Sequence, residues 1–146
     1  MGKVVTKIKV QNWDDMTLIA LGHRSEAPRT METEALVDTG AVFLYLQTSV
    51  VRQLGLRPVG EKQSRTMSDR MDPPAWARAG KRTVFSPVDL EIQGRAHRFD
   101  VVEIPDTLPN IVGQIPLEAL DWVVDLRNRK LIPNPEHKRG ELCDEF

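Results

Sequence analysis

The segment best able to do chemistry is Val37-Asp38-Thr39-Gly40, in which a carboxylate ends an apolar strand and a glycine follows. A chain leaving a sheet there must turn tightly, and glycine admits dihedrals and close approaches that other residues resist. Asp38 is thereby presented at a rigid position. The tripeptide Asp-Thr-Gly alone leaves two readings open: a reactive carboxylate, or an Asx-type turn in which Asp38 bonds its own backbone.

Other reactive groups are less well placed. His23, His97 and His137 fall in different elements, without a spacing that gathers metal ligands on one face, so no metal site is expected. Ser49, Ser64, Ser68 and Ser86 lack the glycine context of a nucleophile elbow, and the only cysteine, Cys143, lies in a charged tail. The glycines form no phosphate-cradling loop, and no cofactor is expected. Trp13, Trp76 and Trp122 could line a peptide cleft, but buried packing is the more frequent role of such residues; Trp122 is expected to pack internally, and Trp76 is left open.

The elements that must position Asp38 follow from periodicity. From Thr6 to Val10, Ile8 and Val10 alternate with Lys7 and Lys9, as in a half-buried strand. Asn12 to Asp15 reads as a turn, Met16 to Leu21 as a returning strand, and His23 to Arg29 as a loop. Glu32 to Val37 alternates again and runs directly into Asp38. Phe43 to Leu46 suits a buried strand, and Thr48 is the expected N-cap of a brief helix that ends near Gly55. Beyond Pro58 the sequence is polar through Ala79 and reads as an excursion. Strands are expected at Val84-Phe85 and from Val88 to Ile92, returning through Phe99 to Ile104 after a turn at Gln93-Gly94. A short helix follows Ile111-Val112-Gly113, and a last hairpin turns at Arg127-Asn128-Arg129. Many short strands and two small helices predict a mainly β, barrel-like domain over residues 1–133, followed by a polar, flexible tail over 134–146.

Composition sets further bounds. A net charge of −1 over 146 residues, with no long Lys/Arg cluster, gives little basis for binding nucleic acid or an anionic membrane. A single cysteine allows no internal disulfide, and no stretch reads as a signal segment or a membrane span, so a cytoplasmic location is expected. Met1-Gly2-Lys3-Val4-Val5-Thr6 also fits the loose N-myristoylation pattern.

Glu34-Ala35-Leu36-Val37-Asp38-Thr39-Gly40-Ala41 resembles the active-site segment of the retroviral-like aspartic peptidases, the retropepsins. Phe43-Leu44-Tyr45-Leu46 resembles the strand after their catalytic turn, and Val50 to Leu56 their Leu-Gly-Leu helix. Ile111-Val112-Gly113 with Leu117-Glu118-Ala119-Leu120 is similar to their second motif, a hydrophobic pair and glycine before a helix. The hairpin from Val123 to Ile132 resembles their closing strands. The resemblance spans Lys7 to Pro133 and implies a closed barrel-type acid protease fold with one or two short helices.

It further implies that two Asp-Thr-Gly turns meet across a two-fold axis, with the threonine bracing each turn. This chain carries one, so the resemblance implies a homodimer with a shared site, or else a partner chain supplying the second aspartate. Two carboxylates about 3 Å apart cannot both ionise cheaply and hold one proton between them. One then activates water while the other protonates the peptide carbonyl oxygen, and rates are expected to follow a bell with an acidic optimum. The implied catalytic residues are Asp38, Thr39 and Gly40. A peptide or protein substrate would bind as an added strand against Ala41, Ile111 and Val112, with Met67 and Ser68 in the stretch corresponding to the family's flap.

Three departures accompany the resemblance. Val42 and Gln114 occupy positions where many members carry an acid and an arginine that pair to support the dimer. The flap stretch, about residues 63–85, has no glycine before Gly80. The tail is polar where family members often interleave terminal strands. These leave open a second function, a peptide-binding or dimerisation module that keeps the fold and cleaves little.

Overall fold

The computed structural model describes residues 3–63 and 81–137. Nine strands and three short helices make up this part, in the order β1 (Val4–Asn12), α1 (Trp13–Ala20), β2 (Thr30–Val37), β3 (Leu44–Gln47), α2 (Thr48–Gln53), β4 (Pro58–Gln63), β5 (Lys81–Ile92), β6 (Arg95–Ile104), β7 (Ile111–Val112), α3 (Gln114–Ala119), β8 (Trp122–Asp125) and β9 (Lys130–Pro133). The mainly β expectation holds, with one helix more than the sequence suggested.

Seven strands hydrogen-bond in the order β1-β2-β7-β3-β6-β5-β4, and β1 also pairs with β5. Pairing therefore runs from β1 through β2, β7, β3, β6 and β5 back to β1. The alternation in β1 matches its burial: Val4, Ile8 and Val10 are buried, while Lys7 and Lys9 face Glu34 and Glu32 across the antiparallel pairing with β2. Gln93 and Gly94, both at positive φ, form the two-residue turn between β5 and β6. β8 and β9 form a separate hairpin around residues 126–129.

Met16 to Leu21 belongs to helix α1 and its C-cap, not to a strand, and Asn12 to Asp15 is the helix start. Asn12 Oδ1 accepts the Asp15 N–H at 3.0 Å, and Asp14 and Asp15 lie in the first turn, where the helix dipole favours negative charge. The apolar run that suggested a strand stays exposed at Leu18, Ile19 and Leu21. Asn12 also donates through Nδ2 to the Leu54 carbonyl at 2.8 Å. Buried Asp15 accepts the Arg29 backbone N–H, Nε and Nη2 at 3.0, 2.9 and 2.9 Å, fastening the loop after α1. The Arg29 side-chain hydrogen bonds are the main reason that the Asp15 carboxyl is held below its usual range.

Two more expectations change. Thr48 is the first residue of α2 rather than its N-cap; its hydroxyl donates to the Ile104 carbonyl at 3.2 Å, and Asp106 Oδ1 accepts the Ser49 N–H at 2.9 Å. The polar stretch after Pro58 begins with strand β4, paired to β5 from Pro58↔Phe85 to Gln63↔Lys81. Residues 58–62 are all exposed and β4 lies at the end of the sheet order, so burial imposes no apolar alternation on it. The stretch 64–80 lies outside the described residues.

The main core gathers Ile8, Val10, Leu44, Leu46, Val50, Leu54, Leu90, Val112 and Leu117, closed by Trp122. As expected, Trp122 packs internally, with its indole N–H donating to the Ile92 carbonyl at 3.2 Å. A second, smaller cluster contains Ala41, Tyr45, Val84, Val102, Ile104 and Ile111, with Phe43 and Leu108 packed against it. The first residues of the expected tail fold back: Asn134 Nδ2 and His137 Nδ1 lie 3.1 and 2.8 Å from Asp121 Oδ1. No helix among the described residues is long and apolar enough to cross a membrane.

Candidate active site

Asp38 sits where β2 leaves the sheet. β7 runs between β2 and β3, parallel to the former (Leu36↔Ile111, Val37↔Val112) and antiparallel to the latter (Leu44↔Val112, Tyr45↔Ile111). The strands entering and leaving the turn are therefore each tied to the same two residues. The Asp38 N–H donates to the Val112 carbonyl at 3.0 Å, and the Asp38 carbonyl accepts the Ala41 N–H at 3.0 Å. The Gly40 N–H donates to Asp38 Oδ1 at 2.8 Å. The Asx-type bond offered as the plain reading is thus present, and it orients one carboxylate oxygen of a half-buried Asp38 while Thr39 and Gly40 remain exposed.

Gly113 locks the two motifs together. Its N–H donates to the Phe43 carbonyl at 2.9 Å, and the next two N–H groups, of Gln114 and Ile115, donate to the carbonyls of Ala41 and Val42, each at 2.9 Å. These are first-turn amides of α3, which the helix itself cannot satisfy. The loop after Asp38 caps the helix, and the helix fixes the loop. A Cβ on residue 113 would lie 2.6 Å from the Phe43 oxygen and 2.8 Å from the Ala41 carbonyl atoms, so only glycine fits.

The residues expected to touch substrate do not all face one way. All three are buried, but Ala41 and Ile111 lie in the second cluster, whereas Val112 lies in the main core. Met67 and Ser68 lie outside the described residues. Val42 and Gln114 meet this architecture through their backbones, and the Gln114 side chain donates to Glu118 Oε2 at 2.9 Å. Lys62 of β4 lies 4.5 Å from the Phe43 ring centroid, bringing the β4–β5 pair over the chain just beyond the turn. A cleft beside Thr39 is lined by Gln114, Leu117, Trp122 and His137.

Two contributors escaped the sequence reading. Buried Asn110 accepts the Gln47 N–H through Oδ1 at 2.9 Å and donates through Nδ2 to the Glu34 carbonyl at 3.1 Å, bridging β2 and β3. An isolated polar residue just before Ile111-Val112 was its only signal. Tyr45 is the other; burial pushes its phenol up, the charge of Asp38 adds to this, and the Phe43 and Val42 backbones and Arg82 oppose it.

Neither a protein-family model nor any curated protein matches the sequence. Among solved structures, the chain is similar to the retroviral protease-like domain of Ddi1 from Leishmania major. The TM-score is 0.51 at 16% identity, with 92% of this chain and 90% of that chain covered. At that identity the likeness establishes a fold, mainly β and retropepsin-like. It leaves the chemistry to be argued from the residues above.

Proposed function

We propose that this chain is an aspartic endopeptidase of the retropepsin type, in which two copies meet across a two-fold axis and each contributes Asp38. The carrying observation is the Asp38 turn itself, held between β2 and β3 by β7 with its carboxylate oriented by the Gly40 N–H. A carboxylate fixed in this way has little freedom to lose on reaction, which is how positioned groups accelerate chemistry. The circuit of paired strands supports the closed barrel-type form of the fold.

In this reading the paired carboxylates share one proton. The ionised member takes a proton from water as it attacks the peptide carbonyl carbon, and the protonated member supplies its proton to the carbonyl oxygen. The roles then reverse as the amine departs. Thr39 and Gly40 shape the turn, and Ala41 and Ile111, buried in the second cluster, back the apolar wall beside an extended peptide.

The test is cleavage of a diverse peptide library across about pH 3 to 7, a window that spans carboxylate ionisation. The native chain is compared with Asp38→Asn at several protein concentrations. Acid-favoured cleavage that requires Asp38 and rises faster than linearly with protein concentration supports the proposal. A folded dimer that cleaves nothing overturns the peptidase and favours a binding module.

A further inference from the structure

The β4–β5 pair turns one face to the second cluster. Directly opposed residues of an antiparallel pair share a face, and residues two apart along a strand return to it. Gly60 opposes Val84 and Lys62 opposes Arg82, so Lys62 and Arg82 stand on the face that carries Val84. Val84 is buried in the second cluster with Ala41 and Ile111, and Phe43 packs against that cluster. The Lys62 ammonium accordingly stands over the Phe43 ring, 4.5 Å from its centroid, within cation–π reach. Glu61, the acid beside it on β4, faces the other way and pairs with Lys81, Oε1 to Nζ at 3.7 Å. Positive charge is thus set on the side of β4–β5 turned to the apolar wall, and the neighbouring negative charge is turned from it.

We propose that Lys62 is a specificity-determining residue that selects an acidic side chain in the peptide substrate, with Arg82 adding positive charge from the opposite strand. This rests on the peptidase reading and names its substrate class. An extended peptide laid along the wall backed by Ala41 and Ile111 passes beneath this face of β4–β5, and its alternate side chains reach toward Lys62. Lys62 is exposed, and a cation–π contact at an exposed position is weak, so an ionised carboxylate displaces the Phe43 ring as the partner of the ammonium. A lysine or arginine of the peptide meets like charge in the same place and is rejected.

The test takes sequences cleaved from the peptide library and remakes each as matched pairs that differ by one glutamate-to-glutamine exchange, position by position. Pairs are compared by kcat/KM at about pH 6, where a peptide glutamate is ionised, and at about pH 3, where it is protonated. At the higher pH the native chain should prefer the glutamate member by about fivefold at one position. The preference should vanish at the lower pH and in Lys62→Gln, and should invert in Lys62→Glu. If Lys62 served only to tie β4 to Phe43, its loss would lower both members of a pair alike and leave their ratio standing. A preference that survives in Lys62→Gln overturns the proposal, as does native cleavage indifferent to charge at every position, which leaves the peptidase reading in place. A native chain that cleaves nothing overturns the peptidase reading and this proposal with it.

Discussion

Gly113→Ala should be among the most damaging single-methyl additions in the molecule. The residue has φ −93°, a dihedral that suits alanine, so backbone strain is not the reason. The reason is space: the new Cβ would stand 2.6 Å from the Phe43 carbonyl oxygen, with both Ala41 carbonyl atoms at 2.8 Å. All are backbone atoms, so no change of rotamer gives relief. Reaching ordinary contact requires the segments to separate by roughly 0.8 Å, which stretches the 2.9 Å bonds from Gly113 to Phe43 and from Gln114 to Ala41 beyond hydrogen-bonding range. Two such bonds at about 1 kcal/mol each, with about 1 kcal/mol of overpacking, give a loss near 3 kcal/mol. For a chain of this size that lowers Tm by about 10 °C.

Urea denaturation followed by circular dichroism measures this, at one protein concentration because self-association would shift the midpoint. Gly60→Ala is the control, since nothing lies within 4 Å of a Cβ there. The same displacement would move the Val112 carbonyl that receives the Asp38 N–H, so activity should fall further than stability alone explains. A Gly113→Ala variant within about 1 kcal/mol of the native chain would refute the claim that this junction is rigid.

Asn110→Ala should cost about 2 kcal/mol, because it strands the Gln47 N–H and the Glu34 carbonyl together; thermal melts measure this, and a change near zero would show that neither bond matters. The depressed Asp15 carboxyl stabilises the fold above its unfolded-state pKa, and that contribution is lost as pH falls through the folded value. Asp15→Asn should therefore flatten the acid side of the stability–pH curve; an unchanged acid limb would assign that slope to other groups. With Val42 and Gln114 in place of a charged pair, self-association should weaken less than about threefold between about 0.05 and 0.5 M salt. Sedimentation velocity reads this, and tenfold weakening would reveal ion pairs at the contact.

What the sequence disclosed was what short stretches of chain decide. An apolar alternation ending in Asp38-Thr39-Gly40 needs no distant partner to be read, nor does the Gln93-Gly94 turn between two alternating strands. The failures arose where a distant or competing interaction settles the structure. Asn110 matters through Gln47 and Glu34, which lie 63 and 76 positions away in sequence. The apolar run of α1 reads as a strand in sequence, yet Leu18, Ile19 and Leu21 stay exposed and the Asn12 cap starts a helix there. β4 carries no apolar alternation to read, because strand pairing with β5, without burial, forms it.

The same distinction bears on how the Asp38 turn is prepared. α3 follows Gly113 as its N-cap and has no side-chain cap; its opening amides are satisfied by the Ala41 and Val42 carbonyls of the Asp38 loop. Each element thus supplies what the other lacks, and neither uses a charged group to do so. The geometry of Asp38 is consequently set within one chain, by backbone bonds that do not depend on an ionised partner or on salt. Under the proposed mechanism, association then has only to bring a second carboxylate into register with a turn that is already formed. That division keeps the entropic cost of ordering the site in folding rather than in dimerisation, and a weak contact between copies would suffice to complete it.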